Sequence, residues 1–470
     1  MPRRADDGAP VMDLSVETTT IPGLLVLRTP VHADARGWFK EAWQRAKMVE
    51  AGLPDFGPVQ ANVSYNDRRG ATRGIHAEPW DKLVSVATGR VFAAWVDLRE
   101  GDSFGATVHL ELDASVAVFV PRGVGNSYQT LEDATAYSYL VNQHWQPGTA
   151  YLALSLADPS AAIPWPVPLA EASISEKDQA NPFLTEVTPM PARRTLIVGR
   201  EGQLARALSA AHPEATVAGR SELDVTDPGA VAAWPWADYD VVLNASAYTA
   251  VDEAETAHGR PAAWALNATA VGHLAAAARE HGLTLVHFST DYVFDGAVAL
   301  HTETEPVSPL GVYGQSKAAG ELAATGAPRH YVLRTSWLIG DGPNFVRTMV
   351  DLAGRGVAPA VVDDQVGRLT FTDELVRATN HLLDTRAAYG VYHVTNGGEP
   401  QSWHVIAQTV FKLAGGDAWS VTPVSTEEYA AGRPLAPRPR HSTLSLDKLE
   451  ATGFVPVDGL DALTRYVRRS

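Results

Sequence analysis

At 470 residues, 45% hydrophobic and 20% charged, the chain exceeds the ~250–300 residues at which a single core stops growing, so two globular domains are expected. Its formal net charge of −16 argues against a nucleic-acid partner and for a small phosphorylated ligand held by local Arg and Lys. The lack of cysteine excludes disulfides, thiolate metal sites and a cysteine nucleophile, and with no run of ~18 apolar residues neither a membrane span nor a membrane partner is expected, which makes the expected location cytoplasmic.

From about residue 20 to 145 the pattern has period two with tight turns. Lys82 to Val86, a turn at Thr88-Gly89, Val91 to Leu98, Thr107 to Leu112 and Val116 to Val120 read as short strands of an all-β barrel or jelly roll. Thr185 to Ala192 holds two prolines and little periodicity, and residues 188–193 are taken as a linker between domains 1–187 and 194–470. Beyond it, apolar strands (Thr195 to Val198, Thr216 to Ala218, Asp240 to Ala245, Leu283 to Ser289) alternate with Ala-rich helices. Trp264 to His281 carries Leu266, Ala270, Leu274 and Ala278 on one stripe and ends at Gly282. Such alternation implies an α/β, Rossmann-like, doubly wound parallel sheet.

Directly after the first of these strands comes Gly199-Arg-Glu-Gly202-Gln203-Leu204-Ala205, opening a helix. This is either a tight turn or a cradle that lets backbone N–H groups approach a pyrophosphate, with Ala205 where a third glycine would stand. Arg220 ends the second strand, as a solvated surface residue or as the partner of a 2′-phosphate; the latter favours NADPH, with NADH the alternative. In Tyr313-Gly-Gln-Ser-Lys317 the Tyr and Lys share a helix face, so the ammonium is expected to lower the phenol pKa and to hold a cofactor ribose. Ser289-Thr290-Asp291-Tyr292 sets a hydroxyl just past a strand end, where it could hydrogen-bond a substrate carbonyl.

With those motifs the C-terminal part resembles the extended short-chain dehydrogenase/reductases, and within them dTDP-4-dehydrorhamnose reductase. Asn244 to Asp252, Arg334-Thr-Ser-Trp337, Asn344-Phe345, Val362 to Gly367 and Arg438-Pro439 carry the likeness over residues 194 to 470. The resemblance implies Thr290, Tyr313 and Lys317 as the catalytic trio. It places the cofactor on Gly199, Gly202, Gln203, Leu204, Arg220, Asp224, Val225, Ala245, Ala247, Tyr313 and Lys317, and the sugar on Asp291, Tyr292 and Trp337. A Mg²⁺ ion held by carboxylates leaves no reliable sequence mark, so one in this half stays open. The histidines, 15 in all, are scattered and form no metal motif.

In the N-terminal part Arg73-Gly-Ile-His76, followed by Lys82, offers an imidazole base for a carbon acid and a cation for the enolate oxygen. A lone His is more often a satisfied or surface residue. In order with it stand Asp34-Ala-Arg36-Gly-Trp-Phe39, Gln60-Ala-Asn62, Asp97-Leu-Arg99, Val120-Pro-Arg-Gly123, Tyr139 and Ser175-Glu-Lys-Asp178, and the whole resembles dTDP-4-dehydrorhamnose 3,5-epimerase, a cupin-type jelly roll. The resemblance implies His76 as base, Asp178 as its partner, Tyr139 as acid on the other sugar face and Lys82 beside the enolate. It also implies Arg36, Phe39, Glu41, Gln60, Asn62, Arg73 and Asn126 around a dTDP-sugar, and a homodimer joined through the barrel. Asn126 replaces a histidine usual in these epimerases, and Ala77-Glu78 replaces an aromatic and an amide.

The favoured function is bifunctional synthesis of dTDP-L-rhamnose: 3,5-epimerisation of dTDP-4-dehydro-6-deoxy-D-glucose, then NADPH-dependent reduction at C4. The alternatives are an active reductase beside a barrel that only binds sugar nucleotide, inversion at C3 alone, or a reductase-like half acting as a regulatory subunit.

Overall fold

The computed structural model describes residues 13–145 and 151–469. The chain divides into two compact units, Met1–Ala192 and Arg193–Ser470.

The first unit is built on two antiparallel sheets. One runs in the order Ser15–Thr18, Leu25–Arg28, Val116–Val120, Lys82–Thr88, Thr135–Val141, Gln60–Asn66; the other runs Leu152–Ala153, Thr72–Ala77, Val124–Thr130, Val91–Asp97, Thr107–Leu112. Val84, Val86, Val118 and Tyr137 of the first meet Ala93, Trp95, Val124 and Tyr128 of the second in one core. Period-two alternation holds on the edge strand Gln60–Asn66, where Ala61, Val63 and Tyr65 face out. It fails in Val91–Asp97 and Val116–Val120, which are buried at every position. The reason is a second layer: Val96 packs outward with Ile75 and Leu154, and Phe119 packs on Met48 and Phe56 under the helix Arg45–Glu50. Strands covered on both faces lose the alternation. At the end of the unit Met190 pairs with Arg99 and the Pro191 carbonyl accepts from Arg122, so this proline-containing stretch lies on the β-rich body.

The second unit has a parallel six-stranded sheet ordered Thr216–Ala218, Arg194–Val198, Tyr239–Asn244, Thr284–Thr290, His330–Thr335, Gly390–His393. Leu196, Val242, Leu285 and Val332 pack against Leu274 and Ala278 on one face; Ile197, Leu243, Val286 and Leu333 pack against Leu204, Leu375 and Leu382 on the other. Helices on both faces force the continuous apolar strands read from the sequence. Beyond the sheet, the helices Phe345–Gly354 and Trp403–Leu413 and the short strand pair Ala360–Val362 with Thr422–Val424 build a smaller core around Ile339, Val346, Ile406 and Val410. No helix among the described residues is long and apolar enough to cross a membrane.

Candidate active sites

In the first unit His76 lies near the end of the strand Thr72–Ala77, half-exposed, with Nε2 2.8 Å from Oδ1 of Asp178. Asp178 is buried in the one-turn helix Glu176–Gln179, whose N-cap Ser175 accepts its backbone N–H. Burial alone would raise this carboxyl, but the His76 bond, the Gly74 N–H and the Ser175 hydroxyl outweigh it and hold the group below the ordinary Asp value. Lys82 opens the strand Lys82–Thr88 of the other sheet, almost fully buried, and forms an ion pair with Glu78; its Nζ lies 5.9 Å from the ring centre of Tyr139. Burial, and secondarily the Glu78 carboxylate, push the Tyr139 phenol up, so it stays protonated at neutral pH. Tyr139 stands opposite Asn62, and Gln60 Nε2 donates to Asn62 Oδ1 at 2.8 Å. Arg73 donates to Asn66 at 3.2 Å and is among the groups acting on Tyr139. Asn126 stands opposite His76, and its Oδ1 accepts from Trp95 Nε1 at 2.9 Å and the Tyr137 hydroxyl at 3.1 Å. The residue that replaces the usual histidine is therefore an acceptor in a buried network.

Three expected residues are not brought to this cluster. Arg36 is exposed on the hairpin His32–Asp34/Gly37–Phe39 and pairs with Asp34 at 2.6 Å, Phe39 is 65% exposed, and Glu41 pairs with Lys47 at 2.7 Å. Every residue of both hairpin strands is exposed, so their side chains meet solvent or their own neighbours.

In the second unit the carboxyl ends of the parallel strands open on a cleft of about 490 Å³ lined by Gly202, Gln203, Leu204, Ala245, Ala247, Thr290, Asp291, Tyr313, Lys317 and Trp337. Tyr313 and Lys317 lie one turn apart on the helix Val312–Ala324. Thr290 donates to Asp291 Oδ1 at 2.7 Å, and a hydrogen bond between Thr290 and Tyr313 pulls the phenol down against its burial. The lowering of the phenol expected from Lys317 does not appear. Burial and the Asp291 carboxylate raise Tyr313, while Lys317 donates to the Phe288 carbonyl at 2.6 Å and is itself brought down to about 8 by burial. Burial also lifts Asp291 to about 6, only partly offset by the Ser442 and Thr290 hydroxyls. Tyr292 stands edge-on to Tyr313 with ring centres 5.9 Å apart. Trp337 stacks on Trp403 at 3.8 Å and holds a φ of +43°, a left-handed conformation rare for a bulky residue.

The cleft suits a dinucleotide. Gly199 has φ +104°, and a Cβ there would meet the Ala245 and Ser246 backbone at 3.2 Å. Gly202 caps the helix Gln203–Ala211 without a side-chain bond, leaving its first N–H groups for an anion. Ala205 is fully buried and packs where the third glycine would stand. Gln203 accepts from Gly340 N–H at 2.8 Å and so ties the turn to the far wall. Arg220, Asp224 and Val225 do not line the cleft: Arg220 is mostly exposed and donates to Asp224 at 3.2 Å, and Val225 is core. A cation the sequence reading passed over, Arg200, reaches the Val217 carbonyl at 2.9 Å and Glu222 at 3.2 Å beside the second strand. Its place inside the glycine-rich turn was the available signal. Among the described residues no group of three or more His, Cys, Asp or Glu could hold a metal ion, and Mg²⁺ finds no support.

One unit holds a His–Asp pair and the other a Tyr–Lys pair facing a cleft, and the class is an enzyme of two activities, an isomerase joined to an oxidoreductase. Residues 18–186 match the family model described as dTDP-4-dehydrorhamnose 3,5-epimerase, and residues 193–469 match that described as RmlD substrate binding domain. A protein RmlC homolog of Streptococcus pyogenes serotype M6 is 48% identical over 183 residues, 37% of this chain and 91% of that protein. A dTDP-4-dehydrorhamnose reductase of Streptomyces griseus is 39% identical over 286 residues, 58% of this chain and 91% of that protein. The crystal structure of the dTDP-4-dehydrorhamnose reductase of Bacillus anthracis in complex with NADP matches with TM-score 0.54 and 32% identity, covering 59% of this chain and 99% of that one. The chain belongs to both families: it is a fusion of a dTDP-4-dehydrorhamnose 3,5-epimerase and a dTDP-4-dehydrorhamnose reductase.

Proposed function

We propose that an N-terminal domain, residues 1–187, inverts C3 and C5 of dTDP-4-dehydro-6-deoxy-D-glucose and that a C-terminal domain, residues 194–470, reduces the C4 ketone with NADPH to give dTDP-L-rhamnose. The observation that carries the reading is the pairing of His76 with Asp178 in one unit and the clustering of Thr290, Tyr313 and Lys317 in the other. The two antiparallel sheets support a cupin-type jelly roll, and the parallel sheet with helices on both faces supports a doubly wound, Rossmann-type fold.

The C4 ketone acidifies the protons at C3 and C5. His76 removes each as general base, Asp178 stabilises the imidazolium that forms, Lys82 faces the enolate oxygen, and Tyr139 returns a proton from the opposite face. In the reductase, NADPH would lie on Gly199, Gly202, Gln203, Leu204, Ala245 and Ala247, with Arg220 and Arg200 near the second strand for its 2′-phosphate; the cofactor supplies hydride. Tyr313 gives the ketone oxygen its proton. Thr290 polarises the ketone carbonyl and hydrogen-bonds the phenol. Asp291, Tyr292 and Trp337 wall the sugar. The exposed hairpin with Trp38 and Phe39, and Val63 and Tyr65 on the edge strand, support a homodimer through the first unit. The setting proposed is cytoplasmic.

The test is solvent-proton exchange. In D₂O without NADPH the wild type places deuterium at C3 and C5, and folded His76→Ala loses both by about 10²–10⁴-fold. Normal exchange in that variant would leave the barrel as a binding module.

A further inference from the structure

The reductase unit holds a titratable group that the chemistry above does not use. His287, fully buried on the strand Thr284–Thr290, stands directly behind Lys317, with Nε2 3.5 Å from Nζ. Its Nδ1 lies 3.2 Å from Nδ2 of Asn244, itself 1% exposed. Asn244 decides the direction of these contacts. Its Oδ1 accepts from the Ser246 hydroxyl at 2.6 Å and the Ser246 N–H at 3.2 Å, so its NH₂ group is the one that faces the ring. Nδ1 of His287 therefore accepts, and in a neutral imidazole the proton sits on Nε2, facing Lys317.

An ammonium has no lone pair to receive that N–H; a neutral amine has one. Nζ already donates to the Phe288 carbonyl at 2.6 Å. With that bond kept, the amine completes the contact with His287, whereas the ammonium sets two N–H groups face to face. The approach is built into the helix by Gly320, where a Cβ would lie 2.0 Å from the Asn267 carbonyl oxygen and 3.4 Å from His287 Nε2.

We propose that His287, fixed as its Nε2–H tautomer by Asn244, is a positioning residue that stabilises the neutral amine of Lys317 after that residue has given up a proton. The proposal rests on the reading of Tyr313 and Lys317 as the reductase pair. In the step concerned, Tyr313 has passed its proton to the ketone oxygen. An N–H bond of the Lys317 ammonium then breaks, the proton re-forms the O–H bond of Tyr313, and the nitrogen keeps the electron pair, which accepts from His287. Phenolate and ammonium become phenol and amine, so charge and atoms balance.

The surrounding groups agree. Glu321 on the same helix favours the ammonium, but its carboxylate is committed to Arg334 of the next strand through bonds of 2.8, 3.0 and 3.2 Å. Tyr313 lies on the same helix and Asp291 just past the end of the His287 strand, and Asn267 on the packed helix is neutral. Burial brings Lys317 down to about 8, and burial together with Lys317 keeps His287 well below the ordinary imidazole value, hence uncharged.

Selective ¹⁵N labelling of histidine and ¹³Cε labelling of lysine in the full chain read both ends of the contact by NMR. The result expected is an unprotonated Nδ1 and a protonated Nε2 on His287 with no titration near neutrality. In His287→Gln, whose amide oxygen can turn to an ammonium, the Lys317 midpoint should move alkaline by about one pH unit. A protonated Nδ1, or an unmoved Lys317 midpoint in that variant, overturns the proposal. If His287→Gln does not fold, Asn244→Asp, which draws the ring proton to Nδ1, must move the midpoint the same way, and no movement overturns it equally. Neither readout needs turnover, so survival of nicotinamide oxidation in Tyr313→Phe would remove the reductase reading separately.

Discussion

Nε2 of His76 lies 2.8 Å from Oδ1 of Asp178, although 102 positions separate them in the chain. The one-turn helix that carries Asp178 is fixed by its Ser175 cap and places the carboxylate against the strand that carries the base. Asp178→Asn should slow exchange at C3 and C5 by about 10–100-fold, the ~1.5–3 kcal/mol of a charge-assisted hydrogen bond, without abolishing it. Because the folded carboxyl sits below its ordinary value, the stability this group adds is complete above the unfolded Asp value of ~3.9 and is lost as pH falls through the folded value. Exchange rates by NMR, with acid unfolding of the same variant, check both; wild-type exchange in Asp178→Asn would remove the pair from the mechanism.

Asp291 has the opposite sign. Its carboxyl is raised by burial to about 6, so ionising it costs stability that is present below the unfolded value and is lost as pH rises through about 6. Asp291→Asn should therefore melt higher than the wild type at pH about 8, by on the order of 3 kcal/mol, and show no advantage at pH about 4. A thermal-melting series over pH tests this, and a pH-independent difference between the two proteins would refute it.

Tyr313→Phe should abolish nicotinamide oxidation and leave deuterium exchange at C3 and C5 at the wild-type rate, because the two clusters belong to separate compact units. Parallel assays on one preparation decide it. Loss of both activities in a folded variant would mean that the sites depend on each other.

Arg220 is mostly exposed and, among the described residues, pairs with Asp224 at 3.2 Å, so its guanidinium can turn to a 2′-phosphate. Arg220→Ala should lower the ratio of NADPH to NADH efficiency by about 10–100-fold, the worth of a charge-assisted contact. An unchanged ratio in Arg220→Ala together with a fall in Arg200→Ala would move the specificity to the glycine-rich turn.

What the sequence made legible was mostly local. Tyr313 and Lys317 are one helical turn apart and Thr290 closes a strand, so spacing and turn chemistry point to them directly. Asp178 is far from His76 in sequence, and only the family resemblance joined them. Strands buried on both faces, such as Val91–Asp97, hid their layering because burial there erases the alternation. Arg36 and Phe39 of the hairpin, and Glu41 just after it, meet solvent, Asp34 and Lys47 within this chain. His287, the partner of Lys317, comes from a strand 30 positions away with no spacing that marks it, whereas Glu78 stands four positions before Lys82 but outside any helix.

The central claim is that one chain both inverts and reduces the same sugar. Purified full-length protein, incubated in D₂O with dTDP-4-dehydro-6-deoxy-D-glucose and NADPH, should yield dTDP-L-rhamnose with deuterium at C3 and C5, read by NMR of the product. A reduced dTDP-sugar that keeps the D configuration and its original protons at C3 and C5 would contradict it.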